Sequence, residues 1–381
     1  MPDARIAIVG GGLSGLYAAL LLEQRGIKDY LLLEARETFG GRIASVASAG
    51  QMAQETGLPS DGIDRFDLGP TWFWPVYQPQ MDKLVRDLDL AYFEQHETGD
   101  MVVELSPQEP PARTRGYLSA PSSMRLVGGM GALIDAIRSK LEPTRLIAAQ
   151  PVKWLHHSGP HIEIGTETAH GQSTTYRAEH VLLALPPRLA AATLRFSPAL
   201  PDTLMHDWRN TATWMATHAK YVALYDTPFW REQGLSGEAR SARGPLGEIH
   251  DASMPGGHAA LFGFFAIPAR VRRNVSDDVM RAHCRTQFAR LFGPQAAMPV
   301  ADVIKDWASD PYTATVADQD GTAQHGAAPA AVAASGVWHG RITGIASEWS
   351  PQFPGYVAGA IEAAAIGVQT LAEHIAFRTT P

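Results

Sequence analysis

The chain has 381 residues, 45% hydrophobic and 19% charged, a balance that suits a globular protein with a sizeable core and argues against disorder. A net charge of -7 and an isoelectric point of about 6.0 disfavour a nucleic-acid or anionic-membrane partner. The single cysteine, Cys284, excludes an intramolecular disulfide and suits a reducing compartment.

Met1 to Arg5 lead straight into an apolar run, without the long apolar stretch and cleavage site of a secretory signal. No run of about 20 apolar residues reads as a membrane span, so a soluble, cytoplasmic protein is expected. Ile6 to Val9, closed by Gly10-Gly11-Gly12, predicts a strand buried on both faces. Leu13 to Gln24 has helical spacing and stops before Gly26; Tyr30 to Glu34 reads as a second strand. The result is a β-α-β unit and, with it, a parallel sheet. Gly50 to Arg65 is polar and turn-rich, Met81 to Leu90 a short helix, and Pro107 to Ser123 a loop. Gly128-Gly129-Met130-Gly131 opens a helix over Ala132 to Leu141. Leu146 to Ile164 and Thr174 to Leu185 contain strands, and Lys220 to Tyr225 and Leu261 to Ile267 are strand candidates. Asp277 to Phe292 reads as a helix, Ala327 to Ser335 as a loop, and Val357 to Ala376 as an Ala-rich helix. No internal repeat is seen.

Gly10-Gly11-Gly12-Leu13-Ser14-Gly15 fits G-x-G-x-x-G between a strand and a helix. The first glycine makes the turn, Gly12 lets the backbone approach a pyrophosphate, and Gly15 lets helix and strand pack closely. The helix N-terminus offers N–H groups to the phosphates, and Glu34 stands where a carboxylate accepts from ribose hydroxyls. This unit alone leaves NAD and FAD open. Gly40-Gly41-Arg42 adds backbone N–H groups and a fixed charge for phosphates, unless it is only an exposed turn.

Leu33-Glu34-Ala35-Arg36-Glu37-Thr38-Phe39-Gly40-Gly41-Arg42 closely resembles the signature of flavin-dependent amine oxidases, the superfamily of monoamine, L-amino-acid, polyamine and protoporphyrinogen oxidases. Further segments are similar to that family in the same order. They are Phe66 to Trp72, Leu126 to Gly131, Pro151-Val152, Val181 to Pro187 with Phe196 to Pro201, Lys220 to Tyr225 before Pro228-Phe229-Trp230, Trp307 to Tyr312, Ile345 to Glu348, and Gly355 to Glu362.

The resemblance implies an α/β fold, with a Rossmann-like FAD-binding domain (1–75, 125–206, 316–381) and a discontinuous, mixed α+β substrate domain (76–124, 207–315). It implies FAD contacts from Gly10, Gly12, Leu13, Ser14, Gly15, Glu34, Ala35, Arg36, Gly41 and Arg42. It adds Gly69, Pro70, Thr71, Val152, Trp307, Ser347, Glu348, Gly355, Tyr356 and Val357. A strand is expected to end at Glu348, whose carboxylate can accept from ribityl hydroxyls, with a helix starting near Gly355 whose positive end faces the flavin. Gly355, Gly359 and Gly367 weaken that helix, which argues for close approach to something there.

Three departures stand out. Ala346-Ser347-Glu348-Trp349 replaces the usual Gly-Thr-Glu-Thr. Tyr356 matches one of the two tyrosines that flank the amine in monoamine oxidases, but Ala317 stands at the other. Val316 replaces the cysteine of covalent flavoproteins, so the FAD is expected to be non-covalent. The stretch from about Trp74 to Arg125 is also shorter than in large relatives.

In this family's chemistry the flavin takes a hydride equivalent from the carbon bearing a neutral amine, giving an imine that hydrolyses and, with O2, hydrogen peroxide. Lys220 and Tyr356 are the candidate catalytic residues. An isolated lysine at a strand start reads as a surface residue; the family pattern implies instead that Lys220 holds a water at flavin N5. Tyr356 would wall the amine site or simply pack the flavin. Trp72, Trp74, Phe262, Phe264, Phe265 and Tyr312 are further lining candidates, or core. No metal is expected, since His156, His157, His161 and His170 lack zinc-site spacing. The expected partners are a small amine and O2. The competing readings are an FAD-dependent C–C desaturase and a catalytically silent flavin-binding protein.

Overall fold

The computed structural model describes residues 3–47, 64–168, 170–319 and 326–379. Most of the turn-rich stretch read over Gly50 to Arg65 falls outside them. The chain divides into two compact units, residues 1–42, 134–216 and 311–381, and residues 43–133 and 217–310. Residues 43–47, 64–75 and 125–133, placed by sequence with the dinucleotide domain, lie in the second unit. Residues 207–216 and 311–315 lie in the first.

The first unit is built on an eight-stranded sheet in the order Arg195–Ser197, Val152–Ser158, His161–Glu167, Ser173–Leu183, Asp3–Val9, Tyr30–Leu33 and Leu146–Ile147, with Ile342–Gly344 also pairing Ser173–Leu183. At its centre Asp3–Val9 runs parallel to both Tyr30–Leu33 and the end of Ser173–Leu183. Ile6 to Val9 and Tyr30 to Leu33 are buried throughout, which explains their unbroken apolar runs. The helix Leu13–Gln24 returns the chain across the sheet and packs against the long helix Val357–Thr379. A Cβ at Gly15 would lie 2.0 Å from the Gly10 carbonyl oxygen, so this crossing requires glycine.

The second unit carries a seven-stranded sheet in the order Ala301–Asp306, Ala219–Tyr225, Ala259–Phe265, Leu246–Asp251, Leu235–Ser241, Asp100–Glu104 and Ala112–Arg115. It is antiparallel except where Leu235–Ser241 meets Asp100–Glu104. Side chains alternate across the sheet. Tyr221, Ala223 and Tyr225 join the core that holds Cys284, Phe288 and Phe292 of the helix Asp277–Phe292. Val222 and Leu224 join a second core with Val46, Phe66, Leu68, Phe262 and Trp307. Lys220 shares the parity of Val222.

Two sequence expectations are corrected and one alternative is decided. The loop read over Pro107 to Ser123 contains the strand Ala112–Arg115, exposed at every residue on the sheet edge and therefore without an apolar face to read. The strand before Glu348 stops at Gly344, and Ser347–Trp349 forms a 3₁₀ turn; an added Cβ at Gly344 would lie 2.3 Å from the Trp349 ring, which folds back over the strand end. Phe265 takes the core alternative left open for it, facing the helix side because it lies one residue out of phase with Phe262 and Phe264. Among the described residues, no helix is long and apolar enough to cross a membrane.

Candidate functional site

In the first unit the glycine turn leads from Val9 into Gly10 (φ 110°) and to Gly12, the N-cap of the helix Leu13–Gln24. Glycine has no side chain with which to cap, so the N–H groups of the first turn at Leu13, Ser14 and Gly15 are available to an anion. Glu34 lies beneath this turn, only 3% exposed. One of its oxygens accepts the Gly11 N–H at 2.6 Å and the other the Arg36 N–H at 2.8 Å. Burial raises its carboxyl pKa, opposed by those N–H groups and by the Arg36 charge. Each oxygen keeps a lone pair for a ribose hydroxyl.

Ala35 and Arg36 follow directly. Arg36 also reaches Thr313 Oγ1 at 3.2 Å and lies over the Tyr312 ring at 5.3 Å. Gly40 donates to the Gly11 carbonyl and pairs with Gly12, so Gly40-Gly41-Arg42 lies against the first glycine turn. Gln150 donates to the Glu34 carbonyl, which sets Val152 at the same end of the sheet.

Arg42 spans the unit. Its guanidinium grips the Glu348 carboxylate with two nitrogens, one at 2.9 Å, and reaches Ser347 Oγ at 3.1 Å. The N-terminal and C-terminal motifs are thus joined directly through Arg42, Ser347 and Glu348. Gly355 (φ 84°) donates its N–H to the Ser347 carbonyl and leads through Tyr356 into Val357, where the last helix begins. The close approach expected of Gly355 is to protein: an added Cβ would lie 2.4 Å from Trp214 Cβ. The glycine turn, Glu34 and the Ser347–Val357 segment together fit the two ends of FAD.

Val316 and Ala317 begin the short helix Val316–Gln319, and Val316 is 77% exposed. The buried Asp318 holds that segment down. It accepts from Arg188 Nη1 at 2.6 Å, the Thr213 N–H at 3.2 Å, and the Thr315 N–H and hydroxyl at 2.9 and 2.8 Å. Sequence reasoning missed Arg188, Asp318 and Trp214, none of which lies in a recognisable motif.

In the second unit Lys220 is 2% exposed. Its Nζ donates to the carbonyls of Asp67 (3.0 Å) and Gly69 (2.8 Å) and lies 2.8 Å from Thr71 Oγ1. It also lies 4.3 Å from the Phe262 ring centroid and 5.3 Å from that of Phe264. Burial lowers its pKa to about 7; Asp67 opposes that shift and the buried Arg125 adds to it. Both carbonyls can only accept, whereas the Thr71 hydroxyl can accept from an ammonium or donate to a neutral amine. The site therefore holds either protonation state without rearrangement.

The Asp67–Thr71 segment is fixed from several sides. The Asp67 carboxylate accepts the Met130 N–H at 2.8 Å and faces Ser45 Oγ at 3.3 Å. Trp307 donates from Nε1 to the Leu68 carbonyl at 3.0 Å. Gly69 and Pro70 are half-buried between these anchors, and Thr71 is buried. Trp72 packs edge-on to His250 at 4.9 Å and bonds Gln95, while Trp74 bonds Ser123.

The parallel β-α-β core of the first unit's mixed sheet, its glycine turn and Glu34 define a dinucleotide-binding protein of Rossmann type. A sequence profile for "Flavin containing amine oxidoreductase" matches residues 111–371, and one for "NAD(P)-binding Rossmann-like domain" matches residues 8–88. The chain belongs to the flavin-containing amine oxidoreductase family, and its cofactor is FAD.

It is 28% identical over 191 residues to "Probable flavin-containing monoamine oxidase A" of Dictyostelium discoideum, covering 50% of this chain and 40% of that one. It is 27% identical over 207 residues to "Putrescine oxidase" of Kocuria rosea, covering 50% and 41%. The match thus spans less than half the length of both. With "Amine oxidase [flavin-containing] B" of Sus scrofa it shares 24% identity over 452 residues, covering 94% and 84%. The fold is similar to that of a putrescine oxidase A394C mutant (TM-score 0.77, 19% identity, 98% of this chain and 99% of that one). It is also similar to cyclohexylamine oxidase from Brevibacterium oxydans IH-35A (TM-score 0.77, 17% identity, 98% and 100%).

Proposed function

We propose that this chain is an FAD-dependent oxidase of small amines that uses O2 and releases hydrogen peroxide. Bound FAD supplies the redox chemistry, taking two electrons from the C–N carbon and returning them to O2. The chain's own residues bind, orient and move protons. The first turn of the helix Leu13–Gln24 and Gly40 to Arg42 would neutralise the phosphates, Glu34 would hold the adenosine ribose, and Val152 would serve the adenine end. In the first unit Ser347, Glu348 and Gly355 to Val357 would hold the flavin half; the family resemblance also assigns flavin contacts to Gly69, Pro70, Thr71 and Trp307 of the second. The cofactor is non-covalent: the only cysteine is Cys284, which is buried in the core of the second unit, where burial pushes its thiol pKa up. That reduced thiol also suits the cytoplasm.

The observation that carries the reading is Lys220. A lysine is almost never fully buried without a paired carboxylate, and here its three partners are two carbonyls and a hydroxyl. A buried, neutralisable amine of this kind marks a functional site. All three of its polar directions are occupied, so water exchanges protons with it through the Thr71 hydroxyl. Lys220 and Thr71 thereby serve proton delivery to O2 or hydrolysis of the imine.

The relatives' names set the panel that tests this. The purified, FAD-loaded protein is mixed anaerobically with putrescine, cyclohexylamine, benzylamine and butylamine, then exposed to O2 with peroxide detection. Bleaching of the flavin by one of these amines, followed by stoichiometric peroxide, is the expected result. No bleaching by any amine, with reduction by a conjugated cyclic substrate, would replace this reading with C–C desaturation.

A further inference from the structure

We propose, resting on the reading of Lys220 as the oxidase's proton carrier, that Arg125 is a positioning residue for it. A buried guanidinium with no carboxylate of its own makes Lys220 the cation that gives up its proton. Arg125 lies at the centre of the short strand Met124–Leu126 and is 2% exposed. Its Nη1 donates to the Ser253 carbonyl at 3.0 Å and its Nη2 to the Ala252 carbonyl at 2.8 Å, and its guanidinium lies 5.1 Å from the Phe93 ring centroid. The Nε–H is buried without a partner. Among the described residues no carboxylate touches this guanidinium. Arginine cannot shed its proton, so a charge buried in this way has to be balanced from further off.

The segment that carries Arg125 also cups the balancing carboxylate. Met130 donates its N–H to Asp67 Oδ1 at 2.8 Å, and a Cβ at Gly129 (φ 67°) would lie 2.7 Å from the same oxygen. Asp67 is 6% exposed, and Ser45 Oγ at 3.3 Å is its other side-chain contact; among the described residues it meets no ammonium or guanidinium. The main-chain carbonyl of Asp67 holds Lys220 Nζ at 3.0 Å. Phe93, against Arg125, and Phe262, against Lys220, share one core with Ala252.

The other charges on the elements around Lys220 are committed. Lys305, opposite it in register, bonds Asp310, and Asp306 is forked onto Arg272. Glu248, opposite Phe264 on the next strand, holds Arg240 and His250, and Asp251 holds Arg231. Arg65 donates to the Gly128 carbonyl at 3.1 Å and keeps its charge in every variant below. Burial lowers the pKa of His218, so its ring is neutral at pH 7. Arg125 and Lys220 are thus left with one uncommitted carboxylate, Asp67, between them. Of the two cations only lysine can release a proton. With Lys220 neutral, Asp67 balances Arg125. With Lys220 protonated, one positive charge is uncompensated in a dry interior. Arg125 pushes Lys220 toward the neutral amine and Asp67 pulls it back, the directions in which both act on its pKa.

The test reads Lys220 through stability, without turnover. Urea titrations across pH, at fixed free FAD, are made on wild type, Arg125→Met, Arg125→Gln and Asp67→Asn, each also in a Lys220→Met background. In wild type the rise in stability that belongs to Lys220 starts near pH 7 and ends near pH 10.5. Arg125→Met and Arg125→Gln are expected to move its start up by about one pH unit and Asp67→Asn to move it down by a similar amount. All these shifts should vanish in the Lys220→Met background, and the pH profile of flavin reoxidation should follow them. Glutamine keeps a donor for one of the two carbonyls, so it decides the matter if the methionine variant does not fold. A start within about a few tenths of a pH unit of wild type in Arg125→Gln, shifts of the same sign in Arg125→Gln and Asp67→Asn, or shifts that survive in Lys220→Met overturn the proposal. The expected shifts in stability, together with reoxidation that ignores Lys220, would keep the role of Arg125 and overturn the proton-delivery reading.

Discussion

Lys220 and Arg42 are both cations withdrawn from solvent, and the chain satisfies them by opposite means. Arg42 meets a carboxylate, Glu348, across a two-nitrogen fork. Lys220 meets two carbonyls and a hydroxyl. A guanidinium forked onto a carboxylate is geometrically specific and acts as a fixed strut. An amine among neutral oxygens, with burial lowering its pKa to about 7, is poised to change charge. The first arrangement is a fixed tie between two distant segments; the second can hold or release a proton.

The largest effect expected from breaking this contrast is at Lys220. Lys220→Met should retain FAD yet slow flavin reoxidation or turnover by at least about a hundredfold, the usual scale of lost proton transfer. Stopped-flow measurement of both half-reactions checks this, and unchanged rates in both would sink the role. Stability should respond with a definite sign. Between pH 7 and 10.5 the unfolded lysine holds a proton that the folded one has released. Unfolding free energy therefore rises with pH through that window, and the cost of burying the ammonium is complete below pH 7. Urea titrations should find the variant's stability advantage over wild type largest below pH 7 and shrinking toward pH 10.5. Arg42→Lys probes the other side. It keeps the charge and loses the fork, so FAD affinity is expected to fall about tenfold with no new pH dependence near 7. Affinity equal to wild type would show that charge alone suffices.

The two regions also differ in how much of them could be read beforehand. The helices Leu13–Gln24 and Asp277–Phe292 begin and end where the sequence places them, because apolar spacing and flanking glycines are local signals. Glu34 was equally legible, since it follows a buried strand at a recognisable interval. The partners of Arg42 are not: Glu348 lies 306 residues away, and the sequence points each of the two to a separate cofactor contact. Trp214 stands alone in a polar segment, and only the fold brings it to Tyr356. The hydroxyl on Lys220 belongs to a segment singled out for the flavin, so its bond to the lysine had no sequence signature. Phe265 takes the core alternative, because strict alternation along the strand separates it from Phe262 and Phe264. Ala112–Arg115 has no apolar alternation to read, being exposed on both faces.

The smallest effect, and the sharpest on mechanism, is expected at Thr71. Its hydroxyl is the only one of the three Lys220 partners able both to donate and to accept. Thr71→Ser keeps that ability and should leave the pH profile of reoxidation within a few tenths of a pH unit of wild type. Thr71→Val removes it at nearly constant volume. The ammonium then has a buried N–H with no acceptor, a heavier cost than the unpaired lone pair of the neutral amine, so the apparent pKa near 7 should move down. The rate should fall severalfold while FAD binding holds. Should Thr71→Val titrate as wild type does, proton exchange at Lys220 runs by a route that does not include this hydroxyl.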